Sequence, residues 1–116
     1  METHSTALSR VNQGRKNMMV AVRVRPLSDR ETNSGVHSCC QVLQGGRTVT
    51  IEKAQSAKYL RSQKGSLHEY TFDAAFGSTS TQQEIYQATT KPFMKQVIDG
   101  FNVTVFAYGA TGSGKV

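Results

Sequence analysis

The chain has 116 residues, 37% of them apolar, and carries fourteen Lys and Arg against eight Asp and Glu for a net charge of +6. That length supports one modest core, and no stretch nears the roughly 18 consecutive apolar residues of a membrane span. The two cysteines, Cys39 and Cys40, are adjacent and imply no disulfide framework, so a reducing compartment fits, while the positive balance points to an acidic partner without saying which kind.

Residues 1–17 lack the apolar core of a signal peptide and read as a disordered leader, with Arg10, Arg15 and Lys16 among Ser and Thr giving a faint transit-peptide flavour. Residues 18–25 (MMVAVRVR) open apolar and then alternate Val with Arg, as in a strand buried first and half-exposed later, and Pro26 stops it. Residues 27–35 read as a loop. A second strand over 36–43, a turn at Gly45 and Gly46, and a third strand over 48–52 (TVTIE) make a hairpin. Residues 53–64 hold Lys53, Lys58, Arg61 and Lys64 with no acid and no apolar period, and read as an exposed basic loop.

Residues 69–72 (EYTF) form another short strand ending at Asp73, and Phe76 supplies a core anchor. Thr81 and Glu84 match a capping box, so a helix follows. Ile85, Ala88, Phe93, Val97 and Ile98 fall near one of its faces, Pro92 should kink or divide it, and Gly100 should end it. Residues 103–108 (VTVFAY) are nearly continuously apolar and predict a central strand covered on both faces. Strand, helix, strand is the order of an α/β sheet.

Directly after that run comes Gly109-Ala110-Thr111-Gly112-Ser113-Gly114-Lys115, which fits the G-x-x-x-x-G-K core of a phosphate-binding loop. The glycines let backbone N–H groups converge on phosphate oxygens, and the lysine brings a mobile positive charge to the β and γ phosphates. Val116 stands where Ser or Thr would ligate Mg²⁺. No later strand ends in a metal-binding Asp, so no catalytic residue and no metal ligand can be assigned. His4, His37 and His68 have no ligand-like spacing, which argues against zinc.

Taken together, Val20-Ala-Val-Arg-Val-Arg-Pro26, Tyr70-Thr-Phe-Asp73 with Phe76, the 82–86 block and the 100–115 run (GFNVTVFAYGATGSGK) resemble the kinesin motor domain. The resemblance spans residues 18–115 and implies an α/β fold: an incomplete P-loop NTPase motor domain with a central sheet, a flanking helix and a small β-hairpin lobe. The Tyr86–Lys91 and Gly109–Gly112 wording is similar to the eighth kinesin class. By the same resemblance Arg23, Arg25 and Pro26 look like the family's adenine-side motif and Tyr86 like the aromatic beside the base, where stacking and cation–π contacts suit them. A solvated strand face for the arginines and core packing for Tyr86 are the alternatives. Asp73 and Phe76 are expected to be structural, and Phe106 and Tyr108 to lie in the core.

The family implies ATP with Mg²⁺ as cofactor, microtubules as partner and a cytoplasmic, cytoskeletal location. The acidic tubulin surface would then suit Lys53, Lys58, Arg61 and Lys64. No base-reading or stacking motif for nucleic acid is present, no membrane role is expected, and oligomeric state is not legible. Both switch regions, the main microtubule-binding elements and the neck of the family pattern are missing, so the chain alone is expected not to turn over ATP. A non-catalytic short form that binds tubulin or the parent motor is the alternative function. Because valine codons begin with the two bases that open most introns, an incomplete gene model or a retained intron is expected to explain Val116, over a protein selected to end there. Central strands without neighbours should expose apolar edges and promote aggregation.

Overall fold

A computed structural model describes residues 18–52 and 67–115. The expected leader over 1–17, the basic loop carrying Lys53, Lys58, Arg61 and Lys64, and Val116 lie outside the described residues.

Two sheets organise the chain. Strand β1 (Ala21–Arg23) pairs in parallel with β5 (Ala74–Phe76), register Ala21↔Ala74, Val22↔Ala75 and Arg23↔Phe76. The pairing extends at both ends, the Val24 N–H donating to Phe76 O (2.9 Å) and the Asp73 N–H to Val20 O (3.0 Å). Strands β2 (Cys40–Val42), β3 (Thr48–Glu52) and β4 (Leu67–Thr71) form an antiparallel sheet in that order, with the hairpin between β2 and β3 turning at Gly45 and Gly46 as the sequence predicts. Thr48 to Glu52 alternates in type, and Val49 and Thr50 are buried at the centre of this sheet, while β4 is exposed throughout as an edge.

The sheets meet at the β4–β5 bend. The Phe72 N–H donates to Arg47 O (2.8 Å), Arg47 Nε to Phe72 O (3.2 Å), and the Ala75 N–H to Gly46 O (2.7 Å). At this corner Asp73 is buried and its Oδ2 accepts from the Val20 N–H at 2.9 Å, a bond that offsets the cost of removing a carboxylate from water. The core itself is small: Ala74, Phe76 and Ala88 are buried together, with Met19 and Ile85 packed against them. Phe76 is the anchor expected from the sequence.

Three helices follow local signals closely. Helix α1 (Asp29–Asn33) occupies the segment expected to be a loop; Ser28 caps it and Glu31 reaches back to the Ser28 N–H (2.8 Å), a complete capping box. Helix α2 (Gln82–Thr89) starts on the predicted Thr81–Glu84 box, with the Thr81 N–H donating to Glu84 Oε2 (2.6 Å) and the Glu84 N–H to Thr81 Oγ1 (3.2 Å). Pro92 divides the helical stretch as expected, because it sits in the first turn of α3 (Lys91–Ile98), where a missing N–H costs nothing. At the other end the Gly100 N–H donates to Val97 O (3.1 Å) and the Phe101 N–H to Gln96 O (2.9 Å), closing α3 in a Schellman motif.

Two further expectations fail. The single apolar face expected to run through both helices is not buried as one: Ala88 is buried in α2, whereas in α3 Val97 is 45% and Ile98 84% exposed. Residues 103–108 form no strand: they run as irregular chain with Val105, Phe106 and Tyr108 63%, 81% and 96% exposed, and Phe106 and Tyr108 are therefore not core residues. Apolar composition makes a segment able to join a sheet, but a strand exists only through ladder hydrogen bonds, and among the described residues nothing pairs with this one.

Candidate phosphate-binding site

The glycine-rich run folds back on itself. The Ser113 N–H donates to Ala110 O (3.0 Å), and Gly112 and Gly114 take φ of 81° and 86° on either side of Ser113. Residues with a Cβ rarely adopt that backbone, so these two positions require glycine. Alternating left-handed residues of this kind turn successive N–H groups toward one side, the concave arrangement that suits anions. Gly109 is constrained for a different reason: a Cβ there would collide with Ser113 Oγ and stand 3.1 Å from Ser113 Cβ.

Lys115 closes the ring. Its Nζ donates to Gly109 O at 2.8 Å, spanning the loop from last residue to first. The side chain is exposed, so its ammonium can exchange that neutral carbonyl for a charged phosphate oxygen at little cost. Thr111 and Ala110 are exposed on the loop's outer side.

The loop is seated on β1. A Cβ at Gly114 would lie 3.6 Å from Arg23 Nη1 and 3.7 Å from Arg25 Cβ, so the chain's most specific motif and its first arginine pair, some ninety residues apart in sequence, are neighbours in space. Arg25 is held in place by a residue the sequence reading passed over. Its guanidinium makes a two-pronged ion pair with Glu31, Nη1 to Oε2 and Nη2 to Oε1 both at 2.7 Å, and Nη1 also donates to Pro26 O (3.1 Å). The Arg25 hydrogen bond, joined by that of the Ser28 N–H, lowers the Glu31 carboxyl from 4.5 to about 2, and Glu31 raises the Arg25 guanidinium above its ordinary value. The signal for Glu31 was available: Ser28-Asp-Arg-Glu31 is the same capping pattern that located α2.

Pro26 lies beside this pair, three residues beyond the end of β1, and is exposed. Tyr86 lies on α2 with 45% of its surface in water, half packed and half presented. The contacts that join loop and arginines do not extend to it. Arg23, Arg25, Gly109, Gly112, Ser113, Gly114 and Lys115 thus form one cluster, with Pro26 at its rim and Tyr86 on a separate element. A hollow of about 300 Å³ lined by Val20, Arg47, Thr71, Phe72 and Asp73 lies at the other corner of the fold, at the β4–β5 bend. Among the described residues no three His, Cys, Asp or Glu side chains gather as a metal site, and no helix is long and apolar enough to cross a membrane.

A family model described as the kinesin motor domain matches residues 23–116. The chain is 37% identical to the kinesin-like protein KIN-8A of Arabidopsis thaliana over 108 residues, covering 93% of this chain and 15% of that protein. It is 40% identical over 98 residues to KIN-8A of Oryza sativa subsp. japonica, covering 84% and 13%, and 41% identical over 99 residues to KIF19 of Homo sapiens, covering 84% and 10%. The chain therefore spans between about a tenth and a seventh of the length of these relatives. Relatives bearing the class-eight name are among them, in keeping with the wording noted in the sequence.

Proposed function

Because this chain belongs to the kinesin motor-domain family, we propose that it carries the phosphate-binding loop and adenine-side motif of an ATP-dependent microtubule motor. The observation that supports this reading is the seating of Gly114 against Arg23 and Arg25, two motifs far apart in sequence that a nucleotide would have to meet together. In this reading the N–H groups around Gly112 and Gly114 receive the phosphates, Lys115 leaves Gly109 O for their charge, and Arg25-Pro26, fixed by Glu31, borders the base together with the exposed ring of Tyr86.

The fit of ATP and the fit of Mg²⁺ differ. The loop's backbone and lysine suit a polyphosphate, whereas Val116, in the place of the hydroxyl that ligates Mg²⁺, offers the metal no side-chain oxygen. In this reading the loop binds and orients the polyphosphate.

Calorimetric titration of the chain with ATP tests the reading. The wild type should bind, and Lys115→Ala should lose about tenfold or more in affinity, since a charge-assisted hydrogen bond contributes on the order of 1.5–3 kcal/mol. Equal affinity in both would contradict it. Contact between Lys53, Lys58, Arg61 and Lys64 and the acidic microtubule surface belongs to the same proposal. Neutralising the four in the complete motor should weaken co-sedimentation with microtubules, more so at low salt than at high.

A further inference from the structure

The chain's two cysteines sit side by side at the entrance to β2, outside the nucleotide cluster. Consecutive side chains of a regular strand point to opposite faces, yet Cys39 Sγ and Cys40 Sγ are 3.7 Å apart. The reason is local: β2 begins only at Cys40, and Ser38 Oγ donates to Cys40 O (3.0 Å) while accepting from the Cys40 N–H (3.4 Å), bending the chain through Cys39. The Cys39 carbonyl still extends the ladder, accepting from the Glu52 N–H at 2.9 Å. Both thiols are free; Cys39 is exposed and Cys40 half-buried.

A direct S–S bond is the poor use of this geometry. Bonded sulfurs lie about 2.05 Å apart and bridge Cα atoms usually 4.4–6.8 Å apart, whereas neighbours across a trans peptide are fixed at about 3.8 Å. An atom seated between the sulfurs removes that conflict, because two longer bonds to a common centre close the ring while the sulfurs stay near van der Waals separation. We propose that Cys39 and Cys40 form a vicinal-dithiol site for thiophilic trivalent electrophiles of the arsenical class, taken up through both sulfurs. For an aryl arsenic(III) oxide the step balances without a redox partner: two S–H bonds and the As–O link are exchanged for two As–S bonds, and the two thiol protons leave with the oxygen as one water. Cys39, the exposed sulfur, attacks first, and Cys40 closes the ring.

The test uses the full chain, pre-reduced with a phosphine, and phenylarsine oxide as probe. Intact-mass analysis should show one adduct per chain, formed with loss of one water, which survives excess 2-mercaptoethanol and is removed by 2,3-dimercaptopropanol. Cys39→Ser and Cys40→Ser should each lose the monothiol-resistant adduct, and the wild-type chain should release the probe faster in denaturant than when folded. An adduct that mercaptoethanol strips from the wild type, or that persists in either serine variant, would overturn the assignment. Equal release rates in the folded and denatured chain would overturn the claim that the bend before β2 builds the site.

Discussion

Strand β5 and residues 103–108 make an instructive pair. On paper the second is the better strand: VTVFAY is long, β-branched and aromatic, whereas β5 is Ala-Ala-Phe. In the structure β5 is buried along its whole length and 103–108 is exposed irregular chain. What β5 has is a partner. Its ladder to β1, the Gly46 carbonyl over Ala75 and the face of α2 over Phe76 all come from described parts of this chain. Propensity describes what a segment can join, and pairing decides what it becomes.

The sharpest way to break the comparison is to truncate one aromatic ring in each region. Phe76→Ala should cost about 3–5 kcal/mol, since Phe76 is 3% exposed and anchors a core of five residues. Phe106→Ala, at 81% exposure, should be close to neutral. Urea denaturation followed by circular dichroism reads both, and similar losses would mean that 103–108 is packed after all.

Next in size is the bond that aligns β1 with β5. Asp73→Ala removes the charged acceptor of the Val20 N–H, a hydrogen bond made by a buried carboxylate to a half-exposed donor, and should cost about 1–3 kcal/mol. A smaller effect, about 1 kcal/mol, is expected from Thr81→Ala at the cap of α2, where an N-cap oxygen is lost. Both are read in the same denaturation experiment, and an Asp73→Ala variant as stable as wild type would remove the claim that this corner sets the parallel register.

The smallest effect concerns Arg25 and Glu31, which are 37% and 32% exposed. Glu31 releases its proton more readily when folded, its carboxyl held at about 2 in place of 4.5. Its contribution to stability is therefore complete above about pH 4.5 and is lost as pH falls toward 2. Carboxyl chemical shifts in an NMR titration should show that low midpoint, and Arg25→Ala should return it toward 4.5. A midpoint that ignores Arg25 would show that the pair is not formed in solution.

Features fixed by a few neighbouring residues were legible in the sequence. The Thr81–Glu84 cap, the Gly45-Gly46 hairpin, the break at Pro92 and the stop at Gly100 each depend on backbone groups within a turn of one another. The tight turns at Gly112 and Gly114 were legible for the same reason. Helix α1 was missed: the charged run over 27–35 reads as loop, although Ser28 and Glu31 carry the capping pattern that marks its start. Long-range facts were not. Nothing local says that Gly114 rests on Arg23, that Ala74 and Ala75 are the strand in place of 103–108, or that Ile98 points into water, because each depends on which element arrives next to it.

Amide hydrogen exchange on the chain with and without ATP bears most directly on the account, since it reads the strand comparison and the nucleotide site together. Without ATP, the amides of 74–76 should exchange slowly and those of 103–108 fast; with ATP, protection should rise at 109–115 and, through the Gly114 contact, at 23–25. Slow exchange at 103–108 in the free chain would contradict the pairing argument, and ATP protection that leaves both 109–115 and 23–25 unchanged would contradict the proposed site.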